Sequence, residues 1–457
     1  MNYLGIQYTY KNKPLLDEAF IPFRVWADAY LEGADRPFSI AVEREDGKVT
    51  RFDTKLRGDA FTEANYRYAE RIVKMLLWSV GGFKVYLAGD DALAAKMQAA
   101  YTHAGDRAFD VGFMEDVYER PFEVVICRAE ELPAAREQAK KVGGHTNGCR
   151  IGFDAGGSDR KVSAVIDGET VYSEEVVWHP KTSADPTYQY NGIVEAFKTA
   201  ASKMPRVDGI GVSSAGVFIG NAPMVSSLFI KVPRDRRGEV KTIYDRAAKQ
   251  IGDVPIVGAN DGDVTALAGS MSLDKGCVMG LAMGTSEAVG YVNQDKNVLG
   301  WFNELAFSPV DLSQDAMQDE WSTDYGVGCK YFSQDAVAKL APKAGITLDP
   351  GLTPAEKLKV VQKAAAEGHE GALDIFRSIG VYLAHTLPLY ETLYDLRYLI
   401  VLGRVASGVG GDLIVAECQR VLAEEYPKLN EKLTVMLPDE KFRRVGQSMA
   451  AASLPEV

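Results

Sequence analysis

Gly258-Ala259-Asn260-Asp261-Gly262-Asp263, followed by Met283-Gly284-Thr285-Ser286, is the stretch on which the fold turns. An Asn-Asp pair at the mouth of a strand can hold a substrate hydroxyl and take its proton. A Gly-Thr-Ser turn just downstream can wrap a phosphate with backbone N–H groups. The 23 residues from Asp261 to Gly284 leave room for one helix and one strand between them. Together the two segments read as a place where a hydroxyl meets the terminal phosphate of a nucleotide.

Other glycine turns support that reading. Arg150 to Ser158 is a short strand running into the tight turn Asp154-Ala155-Gly156-Gly157-Ser158. Lys161 to Asp167 and Thr170 to Val177 follow as strands around Asp167-Gly168, which predicts a three-stranded antiparallel meander. Gly156 and Gly157 carry no Cβ, so the turn can approach a ligand closely. Asp154, at the strand end, can hold Mg²⁺, usually through water. Far downstream, Tyr398 to Leu402 reads as a buried strand ending at Gly403, before a glycine-rich turn that can flank an adenosine.

This order of motifs resembles the actin-like ATPase and sugar-kinase superfamily, and within it the ROK sugar kinases. The family's DxGGT phosphate motif is matched by Asp154-Ala155-Gly156-Gly157-Ser158. Its NDAN substrate motif is matched by Asn260-Asp261-Gly262-Asp263. Its GEIGH segment is matched in outline by Asn303-Glu304-Leu305-Ala306-Phe307, with Val310-Asp311 after it, and a later element by Gly328-Cys329-Lys330-Tyr331-Phe332-Ser333. Met283-Gly284-Thr285-Ser286 looks more like the GTSG turn of FGGY carbohydrate kinases. However, the 107 residues from Asp154 to Asp261 match the short first domain of ROK proteins. The resemblance covers about residues 150–450.

The resemblance implies an α/β fold of two ribonuclease-H-like domains with a cleft between them. The expected segments are an N-terminal α/β extension over 1–147, a first kinase domain over 148–268 and a second over 269–457. It implies an ATP-dependent carbohydrate kinase, with Asp261 as general base and Asn260 and Glu304 holding the sugar. Gly156, Gly157, Ser158, Gly284, Thr285, Ser286 and Gly403 would hold the nucleotide, and Asp154 the Mg²⁺. A dimer is expected on the same ground. Two departures stand out. The His of GEIGH is Phe307 here and only Cys329 remains of the cysteine cluster, so no zinc is expected, because one thiolate cannot make a tetrahedral site. The Thr-Lys of the first phosphate turn is Ser158-Asp159. A carboxylate near phosphates is unfavourable, which leaves as alternative a weak or inactive sugar- or nucleotide-binding regulatory protein.

Composition narrows the classes. The chain has 457 residues, 46% of them hydrophobic and 25% charged, which suits globular domains with a sizeable core. The net charge of −12 argues against generic nucleic-acid or anionic-membrane binding. Five scattered cysteines suit reduced thiols and a cytoplasmic location. Neither a signal peptide nor a membrane span is expected.

The N-terminal third predicts strands over Phe38–Glu45 and Val49–Thr54 about the turn Asp46-Gly47, then a helix over Thr62–Val80. A strand over Gly82–Leu87, a helix over Ala92–Tyr101, a strand over Phe122–Cys127 and a helix over Ala129–Val142 follow. This order parallels the one starting at Ile151. It is consistent with a degenerate copy of the same half-fold or with an unrelated accessory domain. Gly143 to Gly148 reads as a linker. Bland roles stand beside the chemical ones. Asp261 or, better, Asp263 is suited to cap the helix that begins there. Asp154 can start a hairpin, Glu304 can be a solvated loop acid, and Trp301, Phe302, Phe307 and Trp321 are by default core.

Overall fold

The computed structural model describes residues 1–137 and 142–457. It divides into two compact units. One joins Met1–Gln138, Leu281–Val289 and Trp301–Leu437; the other joins Ala139–Gly280, Gly290–Gly300 and Pro438–Val457. This division differs from the three consecutive segments, 1–147, 148–268 and 269–457, expected from the sequence. Residues 1–138 cluster with the later part of the chain, and the last twenty residues return to the middle part.

The first unit begins with a sheet of β1 (Arg36–Glu43), β2 (Val49–Leu56), β3 (Lys84–Ala88) and β4 (Glu123–Ile126), in the order β2-β1-β3-β4. α1 (Thr62–Val80), α2 (Asp91–Ala100) and α3 (Ala108–Tyr118) connect these strands. β1 pairs antiparallel with β2 at the turn where Asp46 and Gly47 take positive φ. β1 also pairs antiparallel with β3. That pairing rules out a copy of the half-fold, in which the first strand and the strand after the helix run parallel. The helix expected over 129–142 is a single 3-10 turn, Ala129–Glu131. Pro133 forces Leu132 into extended backbone (φ −61°, ψ 132°), and Arg136 then pairs with Val49. Residues 138–141 of that expectation lie outside the described residues.

α1 explains why this segment belongs with the later chain. Its buried charges form one cluster. Arg71 donates to Glu70 at 2.6 Å and to Asp324 at 2.9 Å, and Arg107 reaches the same two acids. Lys74 pairs with Asp110 at 2.9 Å and with Asp324 at 3.3 Å. Trp78 packs on Phe307 with ring centroids 4.4 Å apart. Withdrawing α1 would leave buried Asp324 with Arg107 alone of its three cations, a costly state.

The second unit is built on β5 (Cys149–Ala155), β6 (Asp159–Ile166), β7 (Glu169–Val177), β8 (Gly209–Ser214) and β9 (Ile256–Asn260), with α4 (Pro186–Ala201) and α5 (Asp261–Leu273). The strand order is β9-β8-β5-β6-β7. β5, β6 and β7 form the antiparallel meander read from the sequence, and β8 and β9 add on in parallel. This is the ribonuclease-H-like arrangement. Ile151, Phe153, Ile210 and Val212 bury one face against Phe197, Ile243 and Tyr244.

The remaining strands are β10 (Val278–Met283), β11 (Glu287–Val292), β12 (Tyr398–Leu402) and β13 (Thr434–Met436), in the order β11-β10-β12-β13. It is the order of the five-stranded sheet without its outermost meander strand. α6 (Glu370–Tyr390) and α7 (Val409–Glu425) pack against each other in this part of the chain. The chain closes with α8 (Glu440–Ala452), which returns to the second unit.

α8 lies directly on β5 and β8. Gly152 and Gly211 are side by side in the register. A Cβ on Gly152 would fall 1.6 Å from the Ser448 carbonyl oxygen, and one on Gly211 would fall 1.6 Å from that of Ala451. The segment expected as a linker is anchored to the same end. Gly143 and His145 donate their N–H groups to Leu454 and Ser453, at 3.2 and 3.1 Å. Gly144 donates to the Ser453 hydroxyl at 3.1 Å. Although Gly144, Thr146 and Asn147 are exposed, the segment is thus tied to the seat of α8. Gly211→Val is expected to lower stability by at least the ~1–3 kcal/mol of an overpacked core, read as a drop in thermal or denaturant midpoint. An unchanged midpoint would refute the close approach.

Candidate active site

In the second unit, β5 and β8 place Asp154 and Ser213 side by side. The buried Asp154 carboxylate accepts the Ser213 hydroxyl at 2.8 Å. Burial pushes its pKa up to about 6, the Ser213 bond opposes that rise, and the Asp261 charge adds to it. A buried carboxylate facing a second one suits a divalent cation, which would relieve both penalties.

The turn after β5 carries Gly156, Gly157 and Ser158. It is held from the end of β7. The Trp178 indole N–H donates to the Gly156 carbonyl at 2.8 Å, and the Trp178 backbone N–H donates to that of Ser158 at 3.0 Å. The Ser158 hydroxyl donates to the Asp159 carboxylate at 2.9 Å, so that carboxylate stays at the turn. Lys181, on the 3-10 turn Pro180–Thr182, lies over Gly157. A Cβ there would meet its Cε at 2.8 Å and its Nζ at 3.0 Å.

β9 delivers Asn260 and Asp261 to the start of α5. Asn260, not Asp263 or Asp261, caps the helix: its Oδ1 accepts the Gly262 N–H at 2.7 Å. Its Nδ2 donates to the Gly216 carbonyl at 2.8 Å. Asp263 is buried in the first turn and accepts the Tyr291 N–H at 3.3 Å. The reason is positional, since Asn260 holds extended backbone (ψ 143°) while Asp263 is already helical. Asp261 shares the Gly262 N–H, accepting it through Oδ1 at 3.0 Å, and stays partly exposed. Burial raises its pKa, while the Gly262 N–H and the Lys181 charge lower it. Gly290 lets its strand touch this first turn, where a Cβ would fall 2.0 Å from the Gly262 oxygen.

The first unit holds the other expected residues. Gly284 donates its N–H to the Ser286 carbonyl at 3.0 Å and accepts from Gln334 at 2.9 Å, which shapes the turn Gly284-Thr285-Ser286. Gly403, at φ +94°, abuts this turn: a Cβ would fall 2.5 Å from the Met283 oxygen. The Gly284 and Gly403 turns are therefore neighbours in this unit. Glu304 is half-buried and follows Asn303, which is held at φ +53° by a bond from Tyr394 at 2.9 Å. Glu287, just after the turn, is buried and bonded by Tyr390 at 3.3 Å. Burial pushes its pKa up to about 8, and the Glu304 charge adds to that.

The residues at the family zinc position do not fit that metal. Phe307 sits among Trp78 and Phe109, and the Cys329 thiol donates to Asp319 at 3.5 Å, with burial raising its pKa. Among the described residues no three His, Cys, Asp or Glu side chains gather as a metal site. Phe302 is buried against Tyr118 as core, whereas Trp321 is 61% exposed. Sequence reasoning missed Ser213, Trp178 and Lys181. Each is a single side chain from a neighbouring strand or its end, with no glycine or pattern to mark it.

No family model matches the chain, and no curated protein matches it. Solved structures do. A ROK family transcriptional regulator, a homologue of the E. coli MLC protein, aligns over 67% of this chain and 78% of its own, at 15% identity and a TM-score of 0.53. A structure from Cytophaga hutchinsonii, described as that of a sugar kinase, covers 67% of this chain and 98% of its own, at 15% identity and a TM-score of 0.50. A ROK family protein from Streptococcus pneumoniae, in complex with sucrose, covers 67% and 96%, at 11% identity and a TM-score of 0.50. The fold is that of the ROK sugar kinases and regulators. No helix among the described residues is long and apolar enough to cross a membrane.

Glu287 supplies a stability test. Its folded pKa lies above the ordinary 4.5, so the contribution of its neutral form is whole below about pH 4.5. That contribution is lost as pH rises through about 8. Glu287→Gln is expected to gain stability over the parent as pH rises from 5 to 9, by on the order of a few kcal/mol. Denaturant unfolding across that range checks it, and a pH-independent difference would refute the buried neutral acid.

Proposed function

We propose that the protein is an ATP-dependent carbohydrate kinase, transferring the γ-phosphoryl group to a sugar hydroxyl. One observation carries the reading. Asp261 is a partly exposed carboxylate at the start of α5, close enough for its charge to act on the buried Asp154 that precedes the Gly156-Gly157 turn, on a ROK fold.

Asp261 accepts the proton of the attacking hydroxyl, and Asn260, through the second lone pair of its Oδ1, orients the sugar. Backbone N–H groups at Gly156, Gly157 and Ser158 hold phosphate oxygens. Asp154, kept in place by Ser213, would hold Mg²⁺ through water, and the ion would supply charge neutralisation on the phosphates. In the first unit we assign Gly284, Thr285, Ser286 and Gly403 to the nucleotide and Glu304 to the sugar. Phosphoryl transfer needs mostly positioning and charge stabilisation, so one placed carboxylate serves as base. A cytoplasmic, dimeric enzyme is the setting we expect. The second reading is a sugar- or nucleotide-binding regulatory protein with little turnover. The Asp159 carboxylate at the phosphate turn and the likeness to a ROK regulator favour it.

ATP consumption against a panel of hexoses separates the two. Asp261→Asn is expected to lower kcat by about 10²-fold or more, with nucleotide affinity nearly intact. Unchanged turnover would remove Asp261 from the base role. Elemental analysis of the purified protein is expected to show no stoichiometric zinc. One zinc per chain, lost together with stability on chelation, would overturn that expectation.

A further inference from the structure

We infer that Lys181 is the cation of the first phosphate turn: it binds the transferred phosphoryl group and neutralises the charge it develops. This rests on the kinase reading and adds a residue to it.

The turn itself brings no cation. Its own charged residue is Asp159, whose carboxylate is tied to the Ser158 hydroxyl. A phosphate received there would face a negative charge, a cost that a nearby cation must offset. Lys181 is the side chain in place. Its Cε and Nζ occupy the space above Gly157, at 2.8 and 3.0 Å from where a Cβ would be. Its charge also acts on Asp261. One ammonium thus faces both the phosphate turn and the proposed base, the two places between which a phosphoryl group passes.

The approach is built from below. β7 ends at Val177, and the two Trp178 bonds dock that end on Gly156 and Ser158. Pro180 starts the 3-10 turn that carries Lys181, and the buried Gln189 amide holds the Pro180 carbonyl at 2.9 Å. Gly157 has no side chain, which leaves room for the lysine stem. Among the described residues Lys181 has no carboxylate within salt-bridge distance, although the chain is rich in acids. A lysine anchored at its backbone and unpaired at its head is placed for an anionic ligand.

The chemistry needs no proton from it. The sugar oxygen forms a bond to the γ-phosphorus as the bond from that phosphorus to the bridging oxygen breaks. ADP leaves with the electron pair of that bond, and the hydroxyl proton passes to Asp261. Lys181 takes no part in the proton transfer and acts by charge alone, more strongly on the transition state than on bound sugar.

The test uses the full chain and four proteins: the parent, Lys181→Ala, Lys181→Arg and the double variant Lys181→Ala with Asp159→Lys. Lys181→Ala is expected to lose about 10²–10³-fold in kcat, with the KM for sugar nearly unchanged. Lys181→Arg should keep more activity than Lys181→Ala. The double variant, with a cation restored on the turn, should recover at least tenfold, which a merely structural lysine would not permit. Calorimetry with AMPPNP and with AMP is run in parallel. Lys181→Ala should weaken AMPPNP at least tenfold and leave AMP unaffected. Parent-like kcat and AMPPNP affinity in Lys181→Ala would overturn the inference. If the parent consumes no ATP with any hexose, the kinase reading fails. The AMPPNP comparison then decides Lys181 alone: a tenfold loss supports it as a phosphate ligand, and equal or absent binding in both proteins refutes it.

Discussion

The structure of the second unit depends on two missing Cβ atoms. Gly152 and Gly211 stand side by side on β5 and β8, and the backbone of α8 rests on them. Any other residue would push the helix off the sheet, because its carbonyl oxygens lie within 1.6 Å of the Cβ positions. Two residues further along the same strands stand Asp154 and Ser213. The glycine pair therefore sets the height of the helix over the very strands that aim the buried carboxylate. It also brings the chain end home, so that residues 453 and 454 hold the segment entering β5.

Charge burial is the second constraint, and the two units handle it differently. In the first, Glu70, Asp110 and Asp324 are buried but matched by Arg71, Lys74 and Arg107. Matched this way, they tie residues 1–138 to the loop around Asp324 and have no spare charge for chemistry. In the second, Asp154 is buried and Asp261 half-buried, the charge of Asp261 acts on Asp154, and Lys161 and Lys181 act on Asp154 and Asp261 in turn. Carboxylates left in that condition are suited to a metal, a phosphate-bound cation or a proton.

Much of the local structure was legible because it is written in local chemistry. The helix Thr62–Val80 and the strand Tyr398–Leu402 follow the apolar pattern, and the meander follows its glycine turns. The structure places Gly403 against Met283, at the edge of the Gly284 turn. The failures were of another kind. The order of elements in residues 38–127 resembles a half-fold, yet β3 runs antiparallel to β1, and no pattern along a single strand encodes the direction of its neighbour. Gly143 and Gly144 have the composition of a linker, but partners three hundred residues away tie them down. The cap on α5 went to Asn260, because the strand–helix boundary lay one residue earlier than Asp261.

The sequence by itself determined the residue types, the order of the motifs and the departures from them: Asp154, the Gly156-Gly157 turn, Asn260-Asp261, the Ser158-Asp159 substitution and Phe307. Those depend on chemistry and spacing within a few residues, which the chain carries along its length. Only the tertiary structure decided which segments share a unit, which carboxylates are matched by cations, and that Lys181, twenty-four residues beyond Gly157 and across two strands, comes to lie over it. The reason is that sheet pairing and helix docking bring distant residues within a few ångströms through contacts no local pattern encodes. There a single side chain without a motif acquires its role from what it is placed against.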